Sequence, residues 1–364
     1  MTWLLRFTSS ALMVLVAIGT AVGSDESERG NSDGLKKLTT CLNSLKAAKA
    51  TDPRRQTLIV EFASFARHLS TQYGEASMKL DDSQFLRLLS DGAKKDPAHA
   101  DIAFALTQWH LNKQEYDKAL EAITPFHTKN PGHESNAWTE YAQAKLQNNK
   151  SSEPLEIDLH FCVLTANSVA QGMATTEQFQ KEVEILNRTF VALDRQPIVR
   201  FRFKSASLLA DIRDSKSGLL SLGDAKVAFN QEQFGKSFND CDDPKIRDRS
   251  AINVYIYDGY SPKLGFKDVN CHGVRNSNRP FVVLDWERLD NRIQNPEAHE
   301  MGHAFGLDHV AVPGAQLRTA TNIMTSASHG LGSGGTRELG FTESQAAIVM
   351  YHAKRTARFL KEKR

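Results

Sequence analysis

The spacing of hydrophobic positions along the chain changes near residue 150. Residues 35–150 mix charged and apolar side chains at helical spacing, contain few β-branched runs and place their prolines between segments, which predicts an all-α region. Residues 147–154 (QNNKSSEP) are polar and end in a proline, a composition typical of a domain boundary. We therefore expect one domain over residues 35–150 and a second over residues 155–364.

The helical region contains a short internal repeat. Residues 95–99 (KDPAH) recur as residues 129–133 (KNPGH), 34 residues later. The match extends to two further pairs, Ala103 with Ala137 and Phe104 with Trp138. A unit of this length resembles the tetratricopeptide repeat, although neither copy carries the full pattern of that repeat. Such a region would offer a concave surface to a protein partner; a plain helical domain that packs on its neighbour is the alternative.

From residue 155 onwards the pattern becomes that of strands joined by helices. Apolar residues alternate over 155–163, 199–203 and 252–256, and 281–284 is a short apolar run, so we predict a strand in each segment. Between the first two strands, apolar residues share one face of a helix that Thr175 or Thr176 can cap. This order of elements indicates an α/β or α+β domain.

Length and composition agree with a globular protein. The 364 residues suggest two or three domains, since a domain usually takes roughly 100–200 residues. Hydrophobic residues make up 40% and charged residues 24%, which excludes a disordered chain, a collagen and a protein with many membrane spans. The formal net charge is only +2, so no global charge points to a nucleic-acid partner.

Residues 1–23 have the composition of a secretory signal peptide. Arg6 supplies a positive charge, residues 11–22 are apolar, and the small residues of Ala21-Val22-Gly23 stand where cleavage is expected. The apolar run is short for a bilayer span of about 20 residues, which disfavours the alternative of an uncleaved anchor. We expect a secreted or periplasmic protein without stable membrane insertion.

Export would permit disulfides between the four cysteines. Cys241 and Cys271 bracket a single predicted strand and form the favoured pair, and four buried free thiols are the alternative.

The candidate chemistry is concentrated in His299-Glu300-x-x-His303-x-x-Gly306-x-x-His309. Because His299 and His303 are four residues apart, both imidazoles project from one helix face and can reach a single cation. Gly306 suits a helix end with left-handed backbone, after which the chain can turn so that His309 approaches from another side. Three neutral imidazoles leave one coordination position open, which is typical of a catalytic Zn²⁺ ion, and Glu300 lies beside them without being a ligand.

This motif is similar to that of the metzincin metalloproteases, which also carry a methionine turn below the metal. Met324 stands 15 residues after His309 and resembles that methionine; an ordinary buried methionine is the alternative. Residues 179–203 and 252–256, together with the zinc helix, look most like the pappalysin-type branch. The resemblance implies an α+β catalytic domain over residues 155–364, with a twisted mixed sheet, a zinc helix and a C-terminal helix.

The resemblance implies a secreted zinc-dependent metalloendopeptidase that acts on a protein or peptide substrate. A zinc-bound water would attack the peptide carbonyl, and Glu300 would be the general base that takes its proton. The family architecture also suggests that residues 281–284 form the sheet edge that holds an extended substrate. The alternatives are a non-catalytic helical-repeat interaction protein with a degenerate protease domain, and a zinc hydrolase that acts on another substrate class. An inactive site would be expected to have lost Glu300 or a histidine.

Overall fold

The computed structural model describes most of the chain from residue 40 onwards. The described residues are 40–49, 51–68, 82–133, 135–147, 154–164, 168–192, 194–208, 234–240, 242–257, 271–276, 279–286, 289, 296–309, 322–324 and 340–362. The predicted signal peptide, residues 1–23, lies outside them.

The part of the chain before residue 150 is helical, as predicted. Residues 40–47 are helical and are followed by α1 (Arg55–His68), α2 (Asp82–Lys95), α3 (Ala100–Asn112), α4 (Tyr116–Lys129) and α5 (Asn136–Leu146). An aromatic cluster joins the first three: Phe85 of α2 stacks on Trp109 of α3 at 4.2 Å between ring centroids, and Phe62 of α1 meets Phe85 edge-on at 5.5 Å. None of the helices in the described ranges is both long and apolar enough to cross a bilayer.

The two copies of the short repeat occupy equivalent places. Each motif ends in a turn between helices, and His99 N–H and His133 N–H donate to the carbonyl oxygens of Asp96 and Asn130. The matched residues Phe104 and Trp138 are both buried and meet edge-on at 5.3 Å between ring centroids. The repetition is therefore visible in the packing of α3 and α5, whereas the tetratricopeptide identity stays a prediction.

After the helical region, the described residues form a five-stranded, mostly parallel sheet. Its strands are β1 (Leu155–Val163), β2 (Val199–Leu208), β3 (Ile252–Tyr257), β4 (His272–Val274) and β5 (Phe281–Asp285), in the order β2-β1-β3-β5-β4. Only β4 runs antiparallel to its neighbour, β5. The prediction of a chain that combines helices with a mixed sheet is confirmed.

The expectation that residues 281–284 form the sheet edge is wrong. These residues belong to β5, which pairs with β3 on one side and with β4 on the other. Among the described strands, the one at the end of the sheet is β4, a strand of three residues centred on Gly273. A strand this short has no readable alternation, so the sequence pattern gave no sign of it.

Helices also occur between and after the strands. The described α-helices of this region are the short α6 (Ser168–Met173), α7 (Thr176–Thr189), α8 (Pro296–Ala304) and α9 (Glu343–Lys361). Thr175 caps α7 by accepting a hydrogen bond from Gln178 N at 3.1 Å. Phe179 on α7 stacks on Phe161 of β1 at 4.4 Å, and Phe190 just after α7 meets Phe341 edge-on at 4.8 Å. The apolar face predicted for α7 is therefore the face that packs on the sheet.

One hydrophobic core spans the sheet and part of the helical region. The cluster that contains Phe161 and Phe179 also contains Phe104, Trp138 and Tyr141 from α3 and α5. The indole Nε1 of Trp138 donates to Ser344 O of α9 at 3.3 Å. Helices precede the proposed boundary and strand β1 follows it, but the apolar contacts continue across it. The division into two domains stays a prediction.

The carboxyl group of Glu343 is buried where α4, α5 and α9 meet. Tyr141 donates a hydrogen bond to its Oε2, Tyr116 donates to the same oxygen at 3.3 Å, and Lys145 Nζ lies 3.8 Å from it. Burial raises the pKa of Glu343, and Asp194 adds to this rise. The hydrogen bonds from the tyrosines and the charge of Lys145 lower the pKa but do not restore it to its ordinary value.

Glu343→Gln is expected to remove a pH dependence of stability. Above the ordinary pKa of 4.5 the unfolded chain has lost the Glu343 proton while the folded chain still holds it, so stability falls as pH rises. The melting temperature of the wild type minus that of the variant should therefore be highest at acid pH. It should decline as the pH rises above the ordinary pKa of 4.5 towards the raised pKa of the folded protein, as measured by scanning calorimetry. A difference that grew with pH would mean that the folded protein holds an ionised Glu343 paired with Lys145.

The structure describes Cys41 but not Cys241, one member of the favoured disulfide pair. Cys41 is a buried thiol, and its Sγ donates to Leu58 O at 3.1 Å. Cys241 lies outside the described residues, so its pairing with Cys271 stays a prediction.

Candidate metal centre

Helix α8 carries His299, Glu300 and His303, and its sequence explains its length. Pro296 stands at the first helical position, where a missing N–H costs nothing, and Glu297 follows in the first turn. The helix ends in a Schellman motif, in which Gly306 N donates to His303 O at 2.8 Å and Leu307 N donates to Gly302 O at 3.0 Å. Gly306 has a φ of +88°, which confirms the left-handed helix end predicted for it.

The side chains of His299, His303 and His309 converge on one point. Their closest nitrogen atoms all lie within 4.8 Å of one another. The Nε2 atom of His299 lies 3.1 Å from Nε2 of His303 and 3.0 Å from Nε2 of His309. Two histidines come from successive turns of α8, and the third comes from the chain after Gly306. In the described ranges, this is the one such cluster of three or more histidine, cysteine or acidic side chains.

Backbone carbonyl groups fix which nitrogen of each α8 histidine faces the common point. His299 Nδ1 donates to Ile323 O at 2.8 Å, and His303 Nδ1 donates to Leu307 O at 2.6 Å. A neutral imidazole that carries its proton on Nδ1 has a lone pair on Nε2. Two lone pairs therefore face each other at 3.1 Å, an arrangement that is repulsive unless a cation lies between them.

The three nitrogen atoms fit a zinc ion. Zinc binds imidazole nitrogen at about 2.0–2.1 Å, and tetrahedral angles then separate neighbouring nitrogen atoms by about 3.3 Å. The observed separations of 3.0 and 3.1 Å need only a small outward movement of the rings. Burial lowers the pKa of His299 and of His303, which favours the neutral imidazole that binds metals. His309, which follows the end of α8, is the exposed member of the cluster.

Glu300 lies on α8 beside the first histidine and is only 8% exposed. Burial raises the pKa of Glu300 to about 8, although a hydrogen bond from the backbone N–H of Gly273 lowers it in part. A bound dication would further favour the ionised form. The group can therefore accept a proton and return it at neutral pH.

Strand β4 passes close to α8 because Gly273 has no side chain. A Cβ atom at Gly273 would overlap the backbone oxygen of Glu300 and would contact His303 Cβ at 2.8 Å. His272 precedes it, and burial together with the nearby His303 lowers the pKa of His272 to about 4. The sequence pattern predicted neither this strand nor a role for His272.

Met324 lies directly beneath α8. Its side chain is fully buried, and a Cβ atom on Gly302 would overlap its Sδ. The absence of a side chain at Gly302 therefore lets the methionine reach the helix between the two α8 histidines. The sequence placed Met324 near the metal centre, but it did not identify Gly302 as the residue that makes room for it.

Two polar residues near the site were not found from the sequence. Asn322 Oδ1 accepts a hydrogen bond from Met324 N at 2.9 Å, which closes the turn around Ile323. Gln345, in the first turn of α9, hydrogen-bonds to Asn322. Gln345 forms a capping box with Thr342 at the start of α9, which was the available signal for it. A capping box gives no indication of a contact outside the helix.

Comparison of the whole chain with known proteins gave no match. No protein-family model, no curated protein and no solved structure matches it. A functional proposal for this chain accordingly rests on the geometry of its own residues.

Proposed function

We propose that this chain is a zinc-dependent metalloendopeptidase of the metzincin type. The observation that carries the proposal is the convergence of three imidazole Nε2 atoms, with Nδ1 of His299 and of His303 held by carbonyl oxygens. Three protein ligands with one open side are typical of catalytic zinc sites, whereas structural sites are closed by a fourth protein ligand.

The proposed chemistry divides between the ion and Glu300. When bound, zinc would supply Lewis acidity and lower the pKa of water. Glu300 would take a proton from the attacking water on a carboxylate oxygen and deliver it to the nitrogen of the leaving amine. Its burial and its hydrogen bond from Gly273 N–H hold the carboxylate between α8 and β4.

In this proposal, strand β4, and not residues 281–284, is the strand beside which an extended substrate binds. It is the end strand among the described strands of the sheet, and Gly273 brings it against Glu300. An extended peptide that added a strand beside β4 would run past the carboxylate. The substrate class is therefore an unfolded or flexible protein segment.

The order of elements supports the metzincin assignment. The elements follow one another as the resemblance implies. The order is strand β1, helix α7, strands β2 to β5, the histidine helix α8, the turn at Met324 and helix α9. Export as a secreted or periplasmic enzyme is part of the proposal and rests on residues 1–23. A protein partner on the helical region is also a proposal, supported by the repeat around Pro97 and Pro131.

Elemental analysis and a cleavage assay test this function together. The purified protein should hold about one zinc per chain and should cleave denatured casein. Treatment with ortho-phenanthroline should remove the activity, zinc should restore it, and the meta isomer, which cannot chelate, should have no effect. A protein with zinc but no cleavage of any unfolded substrate would favour the non-catalytic interaction protein. A fresh preparation without bound divalent metal would refute the site itself.

A further inference from the structure

The helical region docks on the first turn of α9. Asn112, at the end of α3, accepts a hydrogen bond from Ser344 N at 3.0 Å through its Oδ1. Trp138 of α5 donates to Ser344 O at 3.3 Å, and Tyr141 donates to Glu343. The first N–H groups of a helix have no partner within the helix, so Asn112 supplies an acceptor that α9 needs.

The same turn of α9 contains a capping box. Thr342 Oγ1 accepts from Gln345 N at 3.4 Å, and Gln345 Oε1 accepts from Thr342 N at 3.0 Å. The bond from Thr342 N to Gln345 Oε1 fixes the rotamer of Gln345. Its amide group consequently has a fixed position relative to the start of the helix.

The Gln345 amide also holds Asn322. Asn322 Nδ2 donates to Gln345 Oε1 at 2.9 Å, and Gln345 Nε2 donates to Asn322 Oδ1 at 3.4 Å. Asn322 is 1% exposed, so water does not compete for these bonds. The backbone adds a second link, because Ile323 N donates to Gly340 O at 3.1 Å just before α9.

Asn322 determines the position of the carbonyl that orients a metal ligand. Its Oδ1 accepts from Met324 N, which closes the turn with Ile323 in the middle. Ile323 O accepts from His299 Nδ1 at 2.8 Å. Hydrogen-bond partners of metal-binding histidines fix the ring orientation and the tautomer, and their loss weakens metal binding.

We propose that Asn322 and Gln345 are positioning residues, through which the helical region holds the His299 imidazole at the metal centre. The continuous path runs from Asn112 and Trp138 to the start of α9, then to the methionine turn and His299. The helical region thus acts on the metal centre through α9 and the methionine turn. This inference rests on the proposed zinc site.

Zinc affinity of the full chain, measured by competition with a chelator, tests the path. Gln345→Met keeps the length of the side chain and removes both the oxygen and the nitrogen of the amide. Trp138→Phe removes the indole N–H at the other end of the path. Both should raise the zinc Kd roughly two- to thirtyfold, the range expected for coupling between sites. The visible bands of the Co²⁺-substituted protein should also shift or broaden, because they report the arrangement of the ligands.

Two control variants separate positioning from plain stability. Thr342→Val removes the other half of the capping box without touching Asn322. Trp109→Phe repeats the tryptophan substitution in the Phe85 cluster, which contains no residue of α9. Both should keep the zinc Kd within about twofold of the wild type and leave the Co²⁺ bands unchanged.

The outcomes distinguish this inference from the zinc site. Gln345→Met and Thr342→Val with equal zinc Kd values and Co²⁺ bands would overturn the positioning role while leaving the zinc site in place. Should Gln345→Met fail to fold, Trp138→Phe against Trp109→Phe decides the question alone, and equal values would again overturn it. A wild type that binds no zinc would overturn the site and this inference together.

Discussion

Glu300→Gln is expected to lower the rate of peptide hydrolysis by about 10²–10⁴-fold. The amide has nearly the size of the carboxylate, and its oxygen can still accept the hydrogen bond from Gly273 N–H. It cannot take a proton from water, so the loss falls on the chemical step. Zinc content and melting temperature should remain close to those of the wild type, because Glu300 is not a proposed ligand. The measurements are kcat/KM on a fluorogenic peptide, elemental analysis and calorimetry.

A second buried glutamate provides the matched control. Glu182 lies on α7 and accepts a hydrogen bond from Gln178 Nε2 at 2.8 Å. Glu182→Gln should retain activity within a few-fold of the wild type. If zinc-loaded Glu300→Gln protein cleaved the peptide at the wild-type rate, Glu300 would not be the general base. Another base near β4 would then be required.

His303→Ala is expected to lose most of the bound zinc. Two imidazoles hold the ion far more weakly than three, so the loss of affinity should exceed the roughly 10–100-fold typical of losing a group that only orients a ligand. The substitution also removes the imidazole Nδ1 that donates a hydrogen bond to Leu307 O. Chelator competition and elemental analysis measure the effect.

His352→Ala is the control for that loss. His352 lies on α9, remote in sequence from the motif, and its removal should leave zinc content unchanged. Retention of stoichiometric, tightly bound zinc by His303→Ala protein would show that the three converging nitrogen atoms are not the ligand set.

The part of the site that depends on local sequence could be predicted. Histidines four residues apart meet on one face of any helix, and Gly306 takes the left-handed conformation that its position requires. The apolar face of α7 and the cap at Thr175 follow from the same short-range rules. These features need no knowledge of what packs against them.

The parts that depend on distant residues could not be predicted. The position of β5 within the sheet is determined by its pairing with β3 and β4, which its own apolar run does not reveal. The closeness of β4 to Glu300 depends on the missing side chain of Gly273. A glycine in a loop-like stretch gives no indication of which element approaches it. The bond between Asn322 and Gln345 likewise joins an unpatterned turn to a helix cap.

The docking of α5 on α9 has a consequence for how the chain is made. Trp138 and its acceptor Ser344 are separated by 206 positions, so a chain that emerges from its N-terminus leaves Trp138 and Tyr141 without their α9 partners until that helix appears. Exposed aromatic surface of this kind promotes aggregation during folding. A nonsense mutation before α9 would make that exposure permanent. It would affect the helical region even though every residue of that region is present. Such truncated chains should therefore be cleared by chaperones and quality-control proteases.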